Sequence, residues 1–140
     1  LAISSYDYKD GLIYIDKNRA AGRYYDSKTL WVLGNYSRFV RPGMLRVAVG
    51  IPGADRLLVS AYKDRANHRL VFVIINTTAK EQKLRFIDQH DRSIFTKQEW
   101  ITYTTSTSLR LEKKRYPSES VIHILPGSIV TLESSYMQTD

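Results

Sequence analysis

Cysteine is absent from all 140 residues, so no disulfide staples the chain and no thiolate can serve as nucleophile or metal ligand. That absence does not identify a compartment, because a chain of this length buries enough surface to stand without staples. No uncharged apolar run reaches the roughly 18 residues of a membrane-spanning helix. The opening stretch, "LAISSYDYKD", has neither the basic flank nor the apolar length of a signal peptide, and it lacks an initiator methionine. Such a start is expected of the inside of a longer polypeptide. The seven glycines are scattered and build no phosphate-cradling loop, and no Gly-x-Ser-x-Gly elbow occurs. Three histidines, His68, His90 and His123, fall in two turns and a strand with no ligand-spaced partner. No metal site and no cofactor are therefore expected.

What is present is apolar and basic. The apolar share of 43% suits one sizeable core with a short appendage. The 21 lysines and arginines outnumber 14 acidic residues, but they are spread along the chain. Their densest cluster, Lys113, Lys114 and Arg115, is three long and lies beside Glu112. A continuous electrostatic footprint is missing, so nucleic acid is not an expected partner.

The pattern changes at Arg41-Pro42-Gly43. Before it, "GLIYID" is a short strand-like patch, "KNRAAG" is a loop, and Asp26 or Ser27 can cap a helix over 27–40. On that helix Leu30, Leu33, Tyr36 and Val40 recur at helical spacing, with Trp31, Asn35 and Phe39 as a neighbouring row. Pro42 and Gly43 stop it. After the break the period falls to two. "LRVAVGI", "LLVSAY", "RLVFVIINT", "EQKLRFID", "EWITYTT", "SLRLE", "SVIHILP" and "SIVTLES" read as short strands without long helices between them. That spacing predicts a mainly β fold, an antiparallel two-sheet β-sandwich of immunoglobulin-like kind rather than a tightly curled barrel.

All five glutamates, Glu81, Glu99, Glu112, Glu119 and Glu133, lie beyond residue 80. Glycosidic hydrolysis takes two carboxyl groups flanking one bond. On strand and turn positions these glutamates read as solvent-facing charges, and no catalytic residue is assigned.

"LWVLGNYSRFVRPGMLRVAV", "LLVSAYKDRANHRLVFVIINTTAKEQKLRF" and "HILPGSIVTLES", in that order, resemble the C-terminal part of glycoside hydrolase family 30. The resemblance implies that residues 1–42 are the C-terminal remnant of a (β/α)8 catalytic barrel, 43–136 the sandwich side domain, and 137–140 a tail. Leu1 to Ser5 would end the eighth barrel strand, and Tyr6 to Asp10 begin the loop after it. The family's catalytic glutamates lie on earlier barrel strands, so no position here inherits either role. The family also implies a strand from near the protein's N terminus joining the sandwich, which leaves an edge or groove unfilled here.

"SSYDYKDGLIYID" with "TLWVLGNYSRFVRPG" looks most like the β-1,6-galactanase branch. Tyr6 and Tyr8, in a loop at the C-terminal end of a barrel strand, are the candidate substrate-proximal residues. Trp31, Leu33 and Phe39 are the candidate interface residues, packing the helix on the missing barrel. The resemblance thus implies a non-catalytic portion of a polysaccharide-degrading hydrolase, secreted, periplasmic or at the cell surface, meeting carbohydrate through its parent enzyme. In isolation, helix 27–40 is expected to fold back on the sandwich with Trp31 as anchor or to mediate self-association. The alternative reading is an independent carbohydrate-binding or adhesion module. Asn35-Tyr36-Ser37 and Asn76-Thr77-Thr78 match the glycosylation pattern.

Overall fold

The computed structural model describes residues 11–16, 18–51, 57–87, 99–117 and 121–136. Tyr6 and Tyr8, the proposed end of a barrel strand at 1–5, and the tail at 137–140 lie outside them.

The chain is mainly β. Strands β1 (Ile13–Ile15) and β2 (Tyr24–Asp26) form a hairpin bridged by a 3-10 turn at Arg19–Ala21. Helix α1 (Lys28–Ser37) follows, with Ser27 as its N-cap, the serine oxygen accepting from Leu30 N at 3.3 Å. Then come β3 (Leu45–Val47), β4 (Leu57–Asp64), β5 (Arg69–Asn76), β6 (Gln82–Leu84), β7 (Trp100–Thr105), β8 (Glu112–Tyr116), β9 (Ile122–Ile124) and β10 (Ser128–Ser135). Six of these form one antiparallel sheet in the order β3-β4-β5-β10-β7-β8, and β6 pairs with β9 in a second, two-stranded sheet. The large sheet does not close. The arrangement is a sandwich, with the small sheet on one face and α1 on the other.

Alternation along the strands builds both layers. Phe72, Ile74, Val130, Leu132 and Trp100 face β6 and β9, where they meet Ile122 and Ile124. Val71, Val73, Tyr103 and Ile129 point the opposite way, toward Phe39. Strand β5 therefore contributes apolar residues to both faces, as its uninterrupted apolar run predicts.

Two strands differ from the sequence reading. The stretch 108–111 is not extended. The Ser106 hydroxyl accepts from the backbone N–H groups of Ser108 and Leu109, and Leu111 turns to a φ of 51°, so Leu109 and Leu111 mimic strand alternation across a turn. The real strand, β8, is the charged sequence Glu-Lys-Lys-Arg-Tyr. It is an edge strand facing water, which removes the apolar alternation that would have marked it. Strand β2 carries no such signal in the sequence, because its tyrosines remain largely exposed and bury no periodic face.

Candidate functional site

Helix α1 and the hairpin before it form the candidate site, an interface. The helix directs Asn35, and the turn after it Phe39, toward the large sheet. Phe39 is 3% exposed and stacks in a tilted arrangement on Tyr103, ring centroids 4.5 Å apart. The Arg38 guanidinium lies over both rings at 5.5 and 5.6 Å. Tyr36 adds a hydroxyl contact to Ser60 at 3.2 Å.

The anchor is Asn35, which is fully buried. Its Nδ2 donates to Trp31 O at 3.0 Å and Thr105 Oγ1 at 2.8 Å. Thr131 Oγ1, also fully buried, lies 2.6 Å from Asn35 O and 2.9 Å from Asn35 Oδ1, so one hydroxyl proton serves two acceptors. The helix is thereby pinned to the centre of the sheet by a polar knot that an apolar-periodicity reading passes over. The signal available in the sequence was an asparagine in the middle of an apolar row, opposite threonines on inward strand positions.

Trp31 is half-buried and has a different partner. Its indole Nε1 donates to Asp26 Oδ2, and Arg110 Nη1 approaches the same oxygen at 3.2 Å. The indole hydrogen bond is the main reason the Asp26 carboxyl lies below its ordinary value, with Arg110 and Lys28 adding to it against the opposing effect of burial. Lys28 Nζ donates to Leu109 O at 3.0 Å, and Ser27 joins helix to hairpin through Leu12 O. Hairpin, helix start and the β7–β8 turn are latched at one corner.

Leu33 sits on the outer side of the helix, 47% exposed beside Val32. On the hairpin, Ile13, Ile15 and Tyr24 share one face, with Ile15 and Tyr24 exposed at 77% and 71%. Of the twelve exposed large apolar side chains among the described residues, seven fall between residues 12 and 33. That short stretch carries most of the exposed large apolar side chains among the described residues, a distribution expected of a surface awaiting a partner.

Among the described residues, several acidic groups are engaged by basic or amide partners. Arg69 Nη1 bonds Glu133 Oε1 at 2.8 Å and Arg69 Nη2 reaches Asp64 Oδ2 at 3.5 Å, so a guanidinium stands between these two carboxylates. Asp64 is held below its ordinary range chiefly by the Asn67 side chain and N–H. Glu99 pairs with Arg115 of β8 at 3.3 Å, and Glu81 meets Nδ1 of His123 on β9 at 2.8 Å. His68, in the β4–β5 turn, lies edge-on to Tyr136. His90 and Glu119 lie outside the described residues. Among the described residues no three His, Cys, Asp or Glu side chains gather as a metal site, and no helix is long and apolar enough to cross a membrane.

Both glycosylation matches fall on buried asparagines. Asn35 is 0% and Asn76 1% exposed, and the Asn76 Nδ2 is engaged by the carbonyls of Lys80, Ile124 and Leu125. In the folded chain neither amide is presented to a glycosylating enzyme.

No family model matches the chain. Among solved structures it is similar to a family 30 endoxylanase from Clostridium papyrosolvens, at 24% identity over 79% of this chain and 28% of that one, with a TM-score of 0.66. A family 30 subfamily 8 xylanase from Clostridium acetobutylicum matches at 22% identity, over 92% of this chain and 32% of that one, with a TM-score of 0.71. A conserved exported protein from Bacteroides fragilis matches at 27%, over 80% and 23%, with a TM-score of 0.67. The chain thus has a mainly β sandwich fold that recurs as a part of glycoside hydrolases. It spans less than a third of the length of each of these neighbours.

Proposed function

We propose that the chain is the non-catalytic C-terminal portion of a retaining O-glycoside hydrolase of the family 30 kind, its sandwich bracing a (β/α)8 barrel built by the preceding polypeptide. The observation that carries this reading is the apolar surface left on residues 12–33, the stretch that the resemblance assigns to the end of the barrel. The far greater length of the structural neighbours agrees with it. So does a groove of about 360 Å³ beside Val47, Val49 and Val59, at the place where β3 stops pairing with β4; a strand from nearer the N terminus would fill it. In this reading the parent is secreted or surface-bound and degrades a polysaccharide, with β-1,6-galactan the leading substrate. A free-standing carbohydrate module is less well supported, because Tyr62, Tyr103, Tyr116 and Tyr136 are buried or half-buried and make no exposed row.

The test compares the isolated chain with the intact gene product on β-1,6-galactan and xylan. The intact product is expected to release oligosaccharides and the 140 residues to release none. Turnover by the isolated chain that survives repurification would overturn the proposal.

A further inference from the structure

A groove of about 400 Å³ lies where α1 meets the end of the large sheet, walled by Lys28 and Val32 of the helix, Ile75 of β5, Thr105 of β7 and Ile129 of β10. Thr107, in the turn after β7, forms part of its rim. The kind of occupant follows from what the polar groups around it already do. Thr105 Oγ1 accepts from Asn35 Nδ2 at 2.8 Å and from Leu111 N at 3.1 Å. Ser128 Oγ donates to Leu125 O at 2.7 Å, Asn76 Nδ2 is taken by three carbonyls, and Lys28 Nζ is drawn to Leu109 O. These donors and acceptors are turned toward the chain's own backbone and side chains, while Val32, Ile75 and Ile129 present hydrocarbon. A sugar hydroxyl or an anion entering the groove would lose water and gain little in return, whereas an apolar side chain would gain from burial alone.

We infer that this groove is the socket for a large apolar side chain supplied by the part of the polypeptide that precedes residue 1. The inference rests on the reading that a barrel precedes this chain, and it adds a second, deeper contact to the outer helix face. Val32 links the two, since it walls the groove and neighbours Leu33 on the exposed side. The structural neighbours carry more than two thirds of their length outside the matched portion, so a covalently attached occupant has ample chain to come from.

Because the 140 residues contain no cysteine, single introduced thiols report each contact cleanly when labelling is mapped by peptide. Val32→Cys and Thr107→Cys report the groove, and Leu33→Cys reports the outer helix face. In the isolated chain all three are expected to react readily with a polar maleimide. In the intact gene product all three are expected to react about ten-fold slower or less, as buried sites that open only locally do. Protection at Leu33→Cys with free reaction at Thr107→Cys would overturn the socket and leave the barrel interface standing. Free reaction at all three sites, or a gene product with nothing before residue 1, would overturn both. Protection of the groove thiols in the isolated chain that grows with protein concentration would assign the groove to a second copy and also overturn the inference.

Discussion

Asn35 shows how much of the helix's placement rests on one polar side chain. Its amide and the Thr131 hydroxyl are both fully buried, and the energetic asymmetry of such groups is large: satisfied, each contributes modestly, but unsatisfied, each keeps its full desolvation cost. Asn35→Ala removes one partner of Thr105 and one acceptor of Thr131 and leaves a void at the centre of the helix–sheet contact. We expect it to destabilise the chain by about 1–3 kcal/mol in urea unfolding. Asn35→Asp should be worse at neutral pH, because a carboxylate there would be buried without a cation. The position was visible in the sequence only as an oddity. Apolar periodicity counts hydrocarbon, and the residue that supplies the polar tie in the Trp31–Asn35–Phe39 row is the one that such counting scores against.

On the scale of elements, α1 was legible in existence and start and in its two apolar rows, but it ends at Ser37, three residues short of the expected Val40. Which residues face inward was not legible from the rows, since Tyr36 and Val40 of the Leu33 row also pack on the inner cluster, and Leu33 and Phe39 carry similar hydrophobicity and differ only in what lies opposite. The sheet supplies Tyr103, Val71 and Val73 under Phe39, whereas Leu33 joins neither core cluster and stays 47% exposed. The two interface candidates therefore separate experimentally. Phe39→Ala should cost about 3–5 kcal/mol in the isolated chain, as large-to-small changes in aromatic cores do. Leu33→Lys should stay within about 0.5 kcal/mol there, like other exposed substitutions, while weakening the intact protein. Thermal unfolding of both variants in both contexts checks the pair; equal losses in the isolated chain would show that the outer face is already partnered. Strand β8 taught the complementary lesson. An edge strand made of charges has no apolar period to find, and its neighbour turn borrowed one from Leu109 and Leu111.

For the whole molecule, a mainly β antiparallel sandwich was readable from the number and spacing of the apolar strands. The strand order was not readable, because it depends on which distant segments pack together rather than on any local pattern. Charge acts at this scale as well. Asp26 ties hairpin, helix and β7–β8 turn together, Asp64 organises the β4–β5 turn, and both are held below the ordinary value of 3.8. A carboxyl with a depressed folded-state value stabilises the fold at pH above its unfolded value, and that stabilisation is lost as pH falls through the folded value. The melting temperature should accordingly hold between about pH 5 and 8 and decline below about pH 4. Asp26→Asn should be less stable than the parent at neutral pH and approach it in acid, as paired melting curves would show; a constant gap across that range would contradict the assigned role of the carboxylate.

Strand β10 has a consequence of a temporal kind. It is the last strand of the described chain, yet it lies between β5 and β7 and also carries Thr131, the hydroxyl that receives the helix. Ribosomes deliver sequence from the N terminus onward, so the strand that joins the halves arrives after the parts it joins. Until residues 128–135 emerge, β5 and β7 each hold an open edge and Asn35 has no threonine to meet. The sheet must wait unfinished until residues 128–135 have emerged, and a stop codon before residue 128 would leave a product with every other described strand and no centre.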